Sequence, residues 1–109
     1  MMINEVKDKL MEALDEVKAI NPVAFDVEGL VSYADWVVIA SATSNPHLKA
    51  MVRKSEEAML KAGIKPIGIE GNNGSSEWIL IDFGDIVLHL FTEEKRDFYN
   101  LEKLFVRAD

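Results

Sequence analysis

Residues 78–91 read WILIDFGDIVLHLF, and this stretch decides how the chain folds. β-Branched, leucine and aromatic residues fill both halves, as is typical of β-strands, and Gly84-Asp85 separates them. A two-residue connection that begins with glycine is typical of a tight β-hairpin. We therefore predict antiparallel strands over 78–83 and 86–91, with Phe83 opposite Ile86 at the turn.

This register gives the hairpin two different faces, because residues paired across two strands point to the same side of the sheet. One face is wholly apolar and is predicted to be the domain core; it carries Ile79, Ile81, Phe83, Ile86, Leu88 and Leu90. The other face pairs Trp78 with Phe91, Leu80 with His89, and Asp82 with Val87. Large apolar side chains beside a carboxylate and an imidazole are typical of a binding surface, although a helix of the same chain could equally cover them.

The remaining residues predict a single mixed α/β domain. An apolar stripe indicates a first helix that ends at Asn21-Pro22; its members are Ile3, Val6, Leu10, Leu14, Val17 and Ile20. A second helix is predicted from Asn45, as N-cap, and Pro46 to about Ala62, with Gly63 as its stop. A third helix, over about 95–105, presents Phe98, Leu101 and Phe105 at helical spacing.

Three further strands, over 23–27, 36–40 and 66–70, complete the order α-β-β-α-β-β-β-α, and residues 71–76 are predicted to form a flexible loop. A helix between two strands suggests a parallel crossover, whereas the hairpin is antiparallel. We therefore expect one mixed five-stranded sheet flanked by helices, with all 109 residues in one domain.

Composition narrows the kinds of partner. The formal net charge is −7, and no dense cluster of lysine and arginine is present, so direct nucleic-acid binding is disfavoured and a basic protein partner is favoured. Net acidity could also serve solubility alone.

The chain has no cysteine, which excludes disulfides and thiolate metal sites. With no signal-peptide pattern and no apolar run of membrane-spanning length, we expect a cytoplasmic protein that does not enter membranes.

Several polar residues could carry chemistry, but each has a simpler structural interpretation. Asp82 and Asp85 could bind Mg²⁺, yet aspartate at a turn commonly bonds its own backbone. His47 and His89 lack the spacing of a metal site. Serine and threonine residues before the second helix could bind an anion or cap the helix, and capping is favoured. We predict no metal, no cofactor and no catalytic residue.

Three stretches resemble the signatures of the ribosomal silencing factors, also called the Iojap family. They are 34–45 (ADWVVIASATSN), 69–71 (IEG) with 77–91 (EWILIDFGDIVLHLF), and 96–105 (RDFYNLEKLF). Together they span nearly the whole chain in the family's order. Two positions depart from the pattern: Ala42 stands where the family usually has glycine, and Phe105 where it often has tryptophan.

The resemblance implies a binding factor. Family members dock on the large ribosomal subunit through the fourteenth large-subunit protein, at the face where the small subunit joins. Occupying that face blocks joining and represses translation when nutrients are scarce, and mitochondrial relatives act in large-subunit assembly. The implied fold is similar to that of nucleotidyltransferases without their catalytic aspartates, so the implied protein is not an enzyme.

On these grounds the predicted partner-binding residues are Trp78, Leu80, Asp82, Asp85 and His89 in the hairpin, with Thr43, Ser44 and His47 at the start of the second helix. Trp78 and Leu80 are predicted to be apolar anchors, the two aspartates to meet basic groups, and His89 to supply a hydrogen bond.

Two other functions stay open. One is a Mg²⁺-dependent nucleotidyltransferase-like enzyme that uses the two aspartates; the other is a large-subunit assembly factor that forms homodimers through the hairpin face.

Overall fold

A computed structural model of the protein describes residues 2–71 and 77–105. The elements are α1 (Ile3–Glu16), β1 (Ile20–Asp26), β2 (Trp36–Ala42), α2 (Asn45–Lys61), β3 (Gly68–Glu70), β4 (Trp78–Asp82), β5 (Ile86–Thr92), α3 (Glu93–Tyr99) and a 3₁₀ turn, Leu101–Leu104. The strands form one five-stranded sheet in the order β1-β2-β5-β4-β3. Apart from Gly71, the predicted loop 71–76 lies outside the described residues.

The sheet is mixed, as predicted. β2 and β5 run parallel, whereas β1 pairs with β2, β4 with β5, and β3 with β4 in antiparallel fashion. In the hairpin, Trp78 pairs with Phe91, and the Phe83 amide donates to the Ile86 carbonyl oxygen over 2.9 Å. Gly84 has φ +95°, which a residue with a side chain rarely adopts. The predicted register and turn are therefore confirmed.

Helices α1 and α2 both pack on one face of the sheet, which we call the helix-covered face. Its strand residues are fully buried and apolar; they include Val38, Ala40, Ile79, Ile81, Phe83, Ile86, Leu88 and Leu90. From the helices come Val6, Leu10 and Leu14 of α1 and Leu48, Met51, Val52 and Met59 of α2. This is the core that the alternation of the hairpin predicts.

A much smaller cover lies on the opposite side of the sheet, which we call the second face. The buried apolar strand residues there are Val37, Ile39, Val87 and Phe91. The loop after β1 contributes Val27 and Ala34, and the chain after α3 contributes Phe105, whose ring lies 6.0 Å from that of Phe25. A seven-residue helix and one 3₁₀ turn cannot cover a five-stranded sheet completely.

The buried guanidinium of Arg96 on α3 holds this cover in place. Its Nε donates to a Glu102 carboxylate oxygen over 2.8 Å, and its Nη1 donates to the Ser41 hydroxyl oxygen over 3.0 Å. The same Nη1 donates to the carbonyl oxygens of Ile20 and Asn21. Since these partners lie on β1, β2 and the 3₁₀ turn, a single side chain joins α3 to all three.

The first helix is shorter than predicted, and the prediction that it extends to Asn21-Pro22 is wrong. α1 ends at Glu16, Lys18 has φ +58°, and Ile20 already pairs with Ser41 as the first residue of β1. An irregular register between Ile20 and Val23 accommodates Asn21 at φ +44°. Strand pairing and the Arg96 hydrogen bonds thus outweigh the helical spacing of Ile20.

Two other predictions about helices need correction. Ser44, not Asn45, is the N-cap of α2, because the Ser44 hydroxyl oxygen accepts from the His47 amide. The last helix is not continuous over 95–105, since Asn100 adopts φ +46° between α3 and the 3₁₀ turn. This break leaves Phe98 73% exposed while Phe105 is buried.

The predicted end of α2 is confirmed. Gly63 has φ +79°, and the Ile64 amide donates to the Met59 carbonyl oxygen over 2.9 Å. This is the arrangement that ends a helix at a left-handed glycine. β3 is shorter than predicted, with only Gly68–Glu70 in strand geometry.

Candidate protein-binding surface

Exposure on the second face increases from the middle of the sheet toward β3. On β5, Val87, His89 and Phe91 are buried, whereas their partners on β4, namely Asp82, Leu80 and Trp78, are half-buried. The cover of α3 and the 3₁₀ turn therefore buries β4 only in part. We call the three β4 residues Trp78, Leu80 and Asp82 the hairpin surface.

Trp78 is the best-supported side chain of the hairpin surface. Its ring stacks on Phe91 at 5.1 Å between centroids and lies 4.7 Å from the ring of Tyr99. Its indole N–H donates to Nδ1 of His89 over 3.1 Å. Three neighbours thus contact the ring while part of it stays accessible, which is how a rigid anchor residue is presented.

His89 is 7% exposed, and burial lowers its pKa to about 4 because the charged imidazolium would lose its hydration. The ring is therefore neutral near pH 7. Because Nδ1 accepts the Trp78 N–H, the ring proton is on Nε2. Nδ1 of His89 thus makes an internal bond that orients Trp78. The hydrogen bond from His89 to a partner stays a prediction.

The two aspartates lie at the far end of β4. An oxygen of Asp82 accepts from the Gly84 amide over 2.8 Å, which closes the hairpin turn. Asp85 has an exposed side chain, and its carbonyl oxygen accepts from the amides of Asp35 and Trp36 at the start of β2. At about 3.3 Å per residue, Asp82 lies about 13 Å along the strand from Trp78. The hairpin surface is thus apolar at one end and acidic at the other.

Thr43, Ser44 and His47 form a separate local network. The Ser44 hydroxyl oxygen accepts from the His47 amide over 3.2 Å, and His47 Nδ1 accepts from the Thr43 amide over 3.0 Å. His47 Nε2 donates to the carbonyl oxygen of Val17, just after α1, over 2.7 Å. This network joins the helices of the helix-covered face, whereas Trp78 is on the second face. The structure therefore does not place these three residues with the hairpin surface.

Neither the aspartates nor the histidines gather into a metal site. Within residues 2–71 and 77–105, no group of three or more histidine, cysteine, aspartate or glutamate side chains could hold a metal ion. Ser41, which lies before the second helix, is buried, and its hydroxyl oxygen accepts from Nη1 of Arg96. The side chains of Ser41, Asp82 and His89 thus make hydrogen bonds within the fold.

Comparison with known proteins agrees with the signatures in the sequence. A family model described as "Ribosomal silencing factor during starvation" matches residues 2–109. This chain belongs to the ribosomal silencing factor family. The resemblance predicted from the three sequence stretches is confirmed.

Named relatives of this silencing factor occur in bacteria and in organelles. The chain is 38% identical over 96 residues to the "Ribosomal silencing factor RsfS" of Haemophilus influenzae, with 88% of this chain and 93% of the relative covered. It is 37% identical over 101 residues to the "Mitochondrial assembly of ribosomal large subunit protein 1" of Mus musculus, covering 90% of this chain and 44% of the relative.

A solved structure supports the fold of the silencing factor. A crystal structure of a protein from Chromobacterium violaceum superposes with a TM-score of 0.92 at 31% identity, covering 100% of this chain and 92% of that one. The α/β fold with a mixed sheet is thus shared with an experimentally determined structure. Among the described residues of the silencing factor, no helix combines the length and apolarity needed to cross a membrane.

Sequence reasoning missed two aromatic residues beside the hairpin surface. Tyr99 contacts Trp78, and Phe98 contacts Tyr99 edge-on, with ring centroids 5.1 Å apart. Helical spacing placed Phe98 on the same helix face as Phe105. The helix breaks between them at Asn100, and the periodic pattern of the sequence does not reveal this break. Tyr99 lies next to Phe98 in the third signature stretch, which was the available clue.

Proposed function

We propose that this silencing factor represses translation by binding the large ribosomal subunit through its fourteenth protein, which prevents the small subunit from joining. Family membership supports a silencing role, and the name of the Mus musculus relative refers to the large subunit. The mechanism is steric: a folded domain on the joining face excludes the other subunit without any chemical step.

The observation that carries the proposal is Trp78, an aromatic side chain that is rigidly held yet partly exposed. Binding energy at protein interfaces concentrates in a few residues, and tryptophan is strongly enriched among them. A side chain already fixed in one orientation loses little conformational entropy on binding. In this proposal Trp78 and Leu80 are the apolar anchors, and His89 orients Trp78 by accepting its indole N–H.

Charge supports a basic partner. The net charge of the chain is −7, and both aspartates of the hairpin lie at its turn. Complementary charge speeds encounter and orients two proteins before close contact. Asp82 and Asp85 are therefore assigned to basic groups near the edge of the interface, where we expect them to affect the association rate.

Replacing Trp78 tests the proposal. We expect Trp78→Ala to weaken cosedimentation with isolated large subunits by at least about 2 kcal/mol, or about thirty-fold in Kd. Trp36→Ala is the matched control, because Trp36 lies near α1, bonded to Asn4, away from the hairpin surface. Cooperative thermal unfolding of both variants must first show that they are folded. Unchanged binding by a folded Trp78→Ala protein would remove Trp78 from the interface.

Repression requires a second measurement. Purified large and small subunits are mixed with the wild-type protein and separated on a sucrose gradient. We expect fewer joined ribosomes with the wild type and normal joining with Trp78→Ala. Normal joining in the presence of saturating, bound wild-type protein would contradict the steric mechanism.

Large-subunit assembly is a second candidate function, which the name of the Mus musculus relative favours. The same surface would then bind immature subunits. Depletion of the protein distinguishes the two: accumulation of incomplete large subunits supports assembly, whereas faster recovery of joined ribosomes supports repression. Self-association through the hairpin surface in the absence of ribosomes is compatible with both, and mass measurement over a range of concentrations tests it.

A further inference from the structure

The hairpin surface continues onto α3 through two aromatic side chains. Tyr99 is 42% exposed and lies 4.7 Å from Trp78, and Phe98 is 73% exposed and meets Tyr99 nearly at a right angle, 88°. We call Phe98 and Tyr99 the aromatic step. A phenylalanine so exposed gains little from packing within its own chain, and through Tyr99 it extends the exposed aromatic surface that begins at Trp78.

A cation already lies on this step. Nζ of Lys95 is 5.2 Å from the centre of the Phe98 ring and 3.6 Å from a carboxylate oxygen of Glu77. The negative face of an aromatic ring attracts cations within about 6 Å. Glu94 and Asp97 are exposed residues of the same seven-residue helix and add negative charge to it.

From this arrangement we infer that the aromatic step binds an arginine side chain of the basic protein partner, which stacks on Phe98 and pairs with a carboxylate of α3. The inference rests on the proposed function, since it adds a second contact region to the same interface. Arginine fits better than lysine because its planar guanidinium can stack on a ring and bond a carboxylate at the same time. In the free protein, Lys95 occupies the place that the arginine takes.

RNA bases also stack on exposed aromatic rings. An RNA strand would bring phosphates close to Glu77, Glu94 and Asp97 on a chain of net charge −7, which is unfavourable. A positively charged guanidinium would be attracted to the same carboxylates. The charges therefore favour a protein partner over RNA.

Two substitutions test the inference by cosedimentation with large subunits. Phe98→Leu keeps an apolar side chain but removes the ring, and we expect it to weaken binding about two- to five-fold. Lys95→Met removes the internal cation that competes for the ring, and we expect binding to become tighter by about two-fold. Unchanged binding by Phe98→Leu would overturn the inference. Weaker binding by Lys95→Met would also do so, since it would indicate that Lys95 meets a phosphate.

Leu60→Ala is the matched control, because Leu60 is a comparably exposed apolar residue on α2. We expect it to bind like the wild type. Loss of binding by Trp78→Ala with normal binding by Phe98→Leu would leave the proposed function in place and remove the aromatic step from it.

A second experiment does not depend on ribosomes. The wild-type protein is titrated with a short synthetic peptide of alternating arginine and glycine, and the Phe98 ring signals are followed by NMR. A peptide of the same length with citrulline in place of arginine is the control. We expect the Phe98 signals to shift with the arginine peptide only. No shift, or equal shifts with both peptides, would refute the inference even if the protein fails to bind large subunits.

Discussion

The two faces of the same hairpin are covered very differently. On the helix-covered face, the strand residues lie under helices of 14 and 17 residues. On the second face, a seven-residue helix and a four-residue 3₁₀ turn cover β2 and β5 but leave β4 half-exposed. Apolar residues at alternate positions thus serve two purposes: one set builds the core, and the other provides a surface that this chain does not fully cover.

The faces also differ in their polar groups. The buried strand residues of the helix-covered face are apolar, whereas the second face buries Ser41 and His89, with Arg96 above them. Each of these polar groups has a hydrogen-bond partner. The second face therefore combines a smaller apolar cluster with a few directional bonds, whereas the helix-covered face depends on extensive apolar packing. Four predictions test this difference.

The largest effect is expected from one pair of leucines on opposite faces. Leu88→Ala should lower the free energy of unfolding by about 2–5 kcal/mol, because it leaves a cavity in the core. Leu80→Ala should cost about 1 kcal/mol, since Leu80 is only half-buried, but should weaken binding to large subunits. Urea unfolding and cosedimentation measure both. Equal costs in stability would mean that the second face is as well covered as the first.

Arg96 should give the next largest effect. Arg96→Met removes the bonds that join α3 to β1, β2 and the 3₁₀ turn, and we expect a loss of about 2–3 kcal/mol. Arg53→Met, on the exposed side of α2, is the control and should change stability by less than about 0.5 kcal/mol. Urea unfolding compares them. A cost below about 1 kcal/mol for Arg96→Met would show that apolar packing alone holds the cover.

His89 predicts a dependence of stability on pH. The folded state lowers the pKa of His89 to about 4, whereas an unfolded histidine titrates near 6.5, so the unfolded state binds more protons between these values. Stability from this group is present above pH 6.5 and is lost as the pH falls toward 4. From pH 7 to pH 5 we expect His89 to remove about 2 kcal/mol.

The comparison for this prediction is His89→Phe, which keeps a ring but cannot titrate. Urea unfolding of both proteins at pH 7 and pH 5 isolates the contribution of His89, because the other titrating groups are shared. Parallel pH profiles for the two proteins would show that His89 remains accessible to protons in the folded state.

The smallest effect compares two glycines with similar backbone angles. Gly71 and Gly29 have φ +84° and +80°, so alanine at either position is strained. A Cβ on Gly71 would also collide with the carbonyl oxygen of Trp78, whereas none of the neighbouring atoms approaches within 4 Å at Gly29. We expect Gly71→Ala to cost about 1 kcal/mol more than Gly29→Ala in thermal unfolding.

The same pair links the backbone to the proposed interface. Gly71→Ala should also weaken binding to large subunits, because it displaces the start of β4 and with it Trp78. Gly29→Ala should bind normally. If both variants bind equally, the position of Trp78 does not depend on its approach to Gly71.

Local patterns predicted the regular parts of the fold well. The hairpin register, the strand after Ala34 and the stop at Gly63 follow from short-range alternation and turn chemistry, and the structure agrees with them. Predictions failed where distant contacts compete with local spacing. Ile20 continues the apolar stripe of α1, but pairing with Ser41 places it in a strand. Ser44 and His47 were predicted to belong to the partner-binding site, yet their hydrogen bonds lie among the helices of the other face.

By itself, the sequence determined which residues share each face of the last hairpin, because the two-residue turn fixes the register and side chains alternate between the faces. It also determined the family resemblance and the acidity that disfavours nucleic acid. Only the tertiary structure decided which residues of the second face stay accessible. That depends on the break at Asn100 and on where Arg96 anchors α3. The anchor arises from contacts with Ile20, Asn21 and Ser41, which are far from Arg96 in the chain.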